Sequence, residues 1–189
     1  MLGRFIHTNI FAQLIAVFFV VSTMQVHASM HTASAAASKA NEDQVRAAVV
    51  VGIVRYTIWN EDVGDALNFC LVGESPSFPF IRALNNQKRF LGIPLKIIDI
   101  KGDDQAALSS CEVVVLGTTD NSSPKLDNVS SCLTICDRCN ESEEDSAVVI
   151  QKVDNRIRFN VSLKKAKALG IAFKSAMLEL AAKVEGVDD

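Results

Sequence analysis

The sequence predicts an α/β domain: a three-layer sandwich with a mostly parallel central sheet, a C-terminal antiparallel hairpin, and helices on both faces. Three patterns lead there. Short, uniformly apolar runs recur along the chain, and strands of that kind are buried on both faces, as in a parallel sheet. Segments of helical character separate these runs, which is the layout of a covered parallel sheet. Towards the C-terminus the pattern changes to apolar/polar alternation around Asp154-Asn155, the signature of a hairpin with one wet face.

The elements follow in order. Residues 1–28 read as a signal peptide: Arg4 gives a positive start, Ile10 to Val21 is almost wholly apolar, and Val26-His27-Ala28 offers a small-x-small cleavage site. The apolar run spans about twelve residues, whereas a membrane-crossing helix needs roughly twenty. Residues 29–42 are small and polar and read as a flexible linker. A single domain is expected over 43–186. Its first helix is predicted over Asp43 to Trp59, where Val45, Val49, Gly52, Ile53, Tyr56 and Trp59 trace one face and Val50, Val54 and Ile58 widen it. Strands are predicted at Leu67–Gly73, Ile93–Ile100, Val113–Gly117 and Leu133–Cys136, with helical pieces at Phe78–Leu84 and 103–109. The hairpin pairs Ala147–Val153 with Arg156–Val161, where Ile157, Phe159 and Val161 alternate with Arg156, Arg158 and Asn160. Ser162 is placed to cap a helix over Leu163–Leu169, closed by Gly170. Ser175 is placed to cap a last helix over Ala176–Glu185.

Charge and residue types exclude several functions. A net charge of −3 with no Lys/Arg block argues against nucleic acid. The only histidines, His7, His27 and His31, all precede the domain, which removes Ser-His and Cys-His nucleophile pairs. No phosphate-binding glycine loop occurs. No cofactor and no metal is expected.

The cysteines carry the remaining chemistry. The stretch SCLTICDRCN (131–140) holds Cys132, Cys136 and Cys139, three of the five in the chain. Its spacing matches that of a four-iron cluster, but an exported chain meets an oxidising compartment, where disulfides persist. A zinc site lacks a convincing fourth ligand beyond Cys111 or the linker residue His31. A reactive Cys-x-x-Cys is favoured at a helix N-terminus, whereas Asp137 and the acidic NESEEDS that follows disfavour thiolate. Structural or regulatory stapling remains. Cys132 and Cys136, four apart in a strand, lie about 13 Å apart, beyond disulfide reach. Cys136 and Cys139 can meet across Asp137-Arg138, leaving Cys132 over. Cys70 and Cys111 fall in predicted buried strands, whose parallel neighbours run about 4.8 Å apart. They are either a disulfide or two buried thiols.

Four segments look familiar: VRAAVVVGIVRYTIW (45–59), NFCLVG (68–73), SCEVVVLG (110–117) and RIRFNVSLKKAKALGIAFKSAMLELA (156–181). In order and spacing they resemble the YfiR family of periplasmic regulators. The chain departs from that pattern at Trp59-Asn60, where the family has Trp-Pro. It departs again at Asp145-Ser146-Ala147, where the family has a Gly-Gly-Met-like step and some members a second cysteine pair. The resemblance implies an exported, non-enzymatic α/β domain, often dimeric. Such a domain binds the periplasmic part of a membrane diguanylate cyclase and lowers cyclic-di-GMP, with effects on biofilm. It also implies sensitivity to cysteine oxidation and places a disulfide between Cys70 and Cys111. On this reading the partner is a membrane protein with a diguanylate cyclase domain, and a homodimer is compatible with it. The candidate partner surface is Arg158, Asn160, Lys164 and Lys165. Trp59 is either a core aromatic or a rim contact. Two rivals stand beside this reading: a periplasmic thiol–disulfide oxidoreductase using Cys136 and Cys139, and a small-ligand binding module.

Overall fold

The computed structural model describes residues 41–60, 63–85, 89–90, 92–102, 104–119, 126, 129, 131–139 and 145–186, all within one compact unit spanning 40–189. The segments read from sequence as a signal peptide and most of the linker, and the acidic residues Glu141, Glu143 and Glu144, lie outside the described residues.

Helix α1 covers Glu42–Arg55 and opens with a reciprocal cap. The Asn41 side chain accepts from the Gln44 N–H at 2.8 Å, and Gln44 Oε1 accepts from the Asn41 N–H at 3.0 Å. The helix buries Arg46, Ala47, Val50, Ile53 and Val54. The sequence-predicted face was centred one position earlier, and Val45 and Tyr56 are in fact exposed. The predicted helix also ran too far. Thr57–Trp59 is a strand, β1, pairing antiparallel with β9 (Ile171–Phe173) in a separate two-stranded sheet. β-branched Thr57 and Ile58 and aromatic Trp59 suit a pleated strand, and that partner lies over a hundred residues away, beyond the reach of helical periodicity.

The main sheet follows, in chain order. Its strands and helices are β2 (Leu67–Val72), α2 (Phe78–Arg82), β3 (Arg89–Phe90), β4 (Ile93–Ile100), α3 (Gln105–Leu108), β5 (Val113–Leu116) and β6 (Leu133–Asp137). The C-terminal part adds β7 (Val148–Val153), β8 (Arg156–Ser162), α4 (Leu163–Ala168), α5 (Ser175–Leu178) and β10 (Lys183–Glu185). Among the described residues the spatial order is β10-β8-β7-β6-β5-β2-β4-β3. Strands β4, β2, β5, β6 and β7 are mutually parallel, β8 runs antiparallel to β7, and β10 is parallel to β8. The hairpin turns through Asp154 and Asn155 at φ 49° and 58°, the left-handed pair a type I′ turn needs.

Two apolar clusters lie on opposite faces of this sheet, which makes three layers. On one face Phe69, Leu71, Val113, Val115, Leu133, Ile135, Val148 and Ile150 pack beneath α1 and α2. On the other, Cys70, Val72, Val114, Leu116, Ile100 and Cys132 pack against Leu108 and Cys111. Alternation along each strand produces this partition.

Two further expectations are corrected. Cys111 precedes β5 and sits in the turn after α3, its N–H bonded to the Leu108 carbonyl. The predicted last helix is only one turn, and Lys183–Glu185 pairs with Asn160–Ser162 as an edge strand. Lys174, with its backbone extended, occupies the N-cap position of α5 without a side-chain cap bond, and Ser175 is the first helical residue.

Candidate functional site

Ligands of open α/β sheets usually bind beyond the C-terminal strand ends, where the winding changes direction. Here that point lies between β2 and β5, because the chain winds from β2 to β4 on one side and continues with β5 on the other. Main chain spans it. Glu74 and Thr118 form an antiparallel bridge, with N–H to carbonyl distances of 2.9 and 2.8 Å. Gly73, at φ +73°, and Gly117 permit the crossing, since a Cβ at either would overlap the opposite backbone.

The neighbouring strand end carries a buried ionic cluster. Alternation along β6 turns Asp137 towards α1, fully buried. Arg46 Nη1 donates to Asp137 Oδ1 at 2.6 Å, and the Ser75 hydroxyl donates to Oδ2 at 2.8 Å. The Ser77 hydroxyl also donates to Oδ2. Both carboxylate oxygens are therefore occupied by donors, and the guanidinium also reaches the Ile150 carbonyl at 3.4 Å. Cys136, one residue earlier, faces the other side of the sheet. Asp137 thus acts as a neutralised anchor for α1, a role different from the thiol-suppressing charge read from sequence. The sequence reading missed Arg46, Ser75 and Ser77. The available signal was Arg46 itself, four residues before Val50 and on the same helical stripe.

A second ionic group flanks the first. Arg138, at φ 66°, turns back to Glu42 Oε1 at 2.9 Å and Asp43 Oδ1 at 3.1 Å. Lys152 Nζ reaches Glu42 Oε2 at 2.7 Å, and Arg46 Nε donates to Glu42 Oε1 at 3.2 Å. These donors, Lys152 foremost and then Arg138 and Arg46, hold the Glu42 carboxyl down at about 2, against an ordinary 4.5. A carboxylate with a depressed folded pKa contributes stability above its unfolded pKa and loses it as pH falls towards the folded value. The Glu42 contribution should therefore be full above about pH 4.5 and fade towards about pH 2. Thermal melts of wild type and Glu42→Gln should converge across that window. A gap that stays constant from pH 7 to pH 2.5 would remove the linkage.

The cysteines are joined as two disulfides, Cys70–Cys111 and Cys136–Cys139, with Cα–Cα distances of 6.0 and 5.4 Å. The second closes over Asp137-Arg138, the pair that engages α1. Cys132 is a free, buried thiol. Burial raises its pKa well above the ordinary range, with Glu112 adding to the effect, so it stays protonated and is a poor nucleophile.

The candidate partner residues fall on two regions. Arg158 and Asn160 alternate onto one face of β8; Arg158 is exposed, while Asn160 is half-buried and accepts from Gln151 Nε2 at 3.2 Å. Lys164 is exposed on α4, and Lys165 pairs with Asp145 at 3.5 Å. Trp59 lies on the small sheet, half-buried against the first apolar cluster, its ring N–H donating to the Glu112 carbonyl at 3.4 Å.

No curated protein matches the chain. The pattern of one family, described as YfiR/HmsC-like, matches residues 43–182, nearly the whole domain described above. This family consists of periplasmic regulators of diguanylate cyclase rather than enzymes. The chain belongs to the YfiR/HmsC-like family.

Proposed function

We propose that the chain is a periplasmic, non-enzymatic negative regulator. It binds the periplasmic part of a membrane diguanylate cyclase and so lowers cyclic-di-GMP signalling. The observation that carries this reading is the family match over residues 43–182. The ionic geometry supports it. Asp137, Arg46, Ser75 and Ser77 are spent on one another beneath α1, which is an arrangement for holding a fold. Two disulfides suit an oxidising compartment.

The partner surface is assigned to Arg158, Asn160, Lys164 and Lys165, on β8 and the helix that follows. Charged rim groups steer association and set partner choice. Replacing all four, with Lys164 and Lys165 changed to Glu, should abolish capture of the membrane cyclase from detergent extracts. The circular dichroism melt should stay unchanged. Undiminished capture would remove this surface from the assignment.

A further inference from the structure

The start of β8 borders a solvent-open cavity of about 650 Å³, lined by Val153, Asp154, Arg156, Arg158, Ala181 and Ala182. The cavity lies beside the part of β8 that β10 does not cover, because β10 is short. It pairs with β8 only over Asn160–Ser162, and one further bond runs from the Ala182 N–H to the Phe159 carbonyl at 2.8 Å. The Ser162 N–H bonds to Ala147 on the β7 side. Alternation therefore points the backbone groups of Phe159 and Ile157 the other way. Phe159 is met by Ala182, whereas Ile157 lies beyond the reach of β10, its N–H and carbonyl directed out of the sheet edge beside the cavity.

The side chains here are as unusual as the edge. Arg156 and Arg158 sit two apart on one face of the strand, both exposed. Among the described residues neither forms an ion pair, whereas Arg46, Arg82 and Arg138 each hold a carboxylate. Adjacent like charges on one sheet face repel. Only Asp154 contributes a negative charge to the lining, against two guanidiniums. Ala181 and Ala182 keep the opposite wall small. The result is an open, mostly polar cleft, with two planar forks suited to bidentate contacts with oxyanions.

We propose that this cavity binds a small anion carrying a phosphate group or at least two carboxylates, held by Arg156 and Arg158. The site shares Arg158 with the proposed partner surface but needs no cyclase and does not use Lys164 or Lys165, so the lysine variant separates the two readings. It is tested by titration calorimetry of the purified full-length protein with inorganic phosphate, succinate and citrate at low ionic strength. Saturable binding with one site per chain is expected for at least one probe. Arg156→Ala/Arg158→Ala should weaken it by about tenfold or more, the scale of losing a charge-assisted hydrogen bond. Arg156→Lys/Arg158→Lys keeps the charge but loses the forks, and should also bind clearly more weakly than wild type. Lys164→Glu/Lys165→Glu should bind like wild type, even where it no longer captures the cyclase. Three results would each overturn the proposal: no saturable binding of any probe, unchanged binding in the double alanine variant, or an equal loss in the Lys164/Lys165 variant.

Discussion

Asp137→Ala is expected to destabilise the domain by about 3 kcal/mol, the lower end of the cost of breaking a buried ion pair, because Arg46 keeps its 3.2 Å contact to the part-exposed Glu42. Arg46 would remain nearly inaccessible to water, its guanidinium facing the space the carboxylate filled. Typical domains have only about 5–15 kcal/mol in hand, so this single change should move the urea midpoint far down and leave a marginal fold. The same charge logic predicts a rescue. Arg46→Met/Asp137→Leu removes both ions together, and replacing a buried pair by apolar side chains is often neutral or stabilising. The Ser75 and Ser77 hydroxyls are 3.0 Å apart and can bond to each other once the carboxylate is gone. The double variant should therefore unfold closer to wild type than either single variant does. A loss below about 1 kcal/mol in Asp137→Ala, the range of surface pairs, would mean that the cluster does not hold α1 to β6.

That anchor also shows where the sequence could be read and where it could not. Strands β2, β5 and β6 were legible because burial on both faces makes their runs largely apolar, whatever their neighbours are, whereas β4, with only Leu95 and Ile100 buried, was legible from its isoleucines. The Asp154-Asn155 hairpin was legible because its turn chemistry is local. Thr57–Trp59 and Lys183–Glu185 were not, since each becomes a strand only through a partner distant in sequence, Ile171–Phe173 and Asn160–Ser162 respectively. Asp137 failed for a related reason. In sequence it stands between Cys136 and Arg138 and looks like part of the cysteine motif, but the pleat sends it to the opposite face, where Arg46 arrives from 91 residues away. The open edge beside Arg156 and Arg158 was hidden likewise, because it depends on where β10 begins.

Loss of the Cys70–Cys111 bond is the other change expected to be severe. It closes a separation of 41 residues, worth about 4 kcal/mol in the chain-entropy account, against about 2 kcal/mol for the three-residue separation of Cys136–Cys139. Alanine is the informative replacement, because Cys70 and Cys111 are buried in an apolar cluster and serine would bury an extra hydroxyl. Cys70→Ala/Cys111→Ala should therefore unfold at a much lower urea concentration than Cys136→Ala/Cys139→Ala. Accessibility ranks the two bonds in the same direction. Cys70 and Cys111 are shielded, whereas Cys139 is half-buried, and thiolate attack requires access to a sulfur. Mild reductant followed by alkylation and peptide mapping should label Cys136 and Cys139 first, with Cys70, Cys111 and the buried Cys132 labelled only as the domain unfolds. Equal labelling rates at both bonds would contradict this ordering. If the ordering holds, the short bond is the one that can respond to redox conditions in the folded protein. Its opening would loosen the Asp137-Arg138 turn that grips α1, while the long bond keeps the sheet intact.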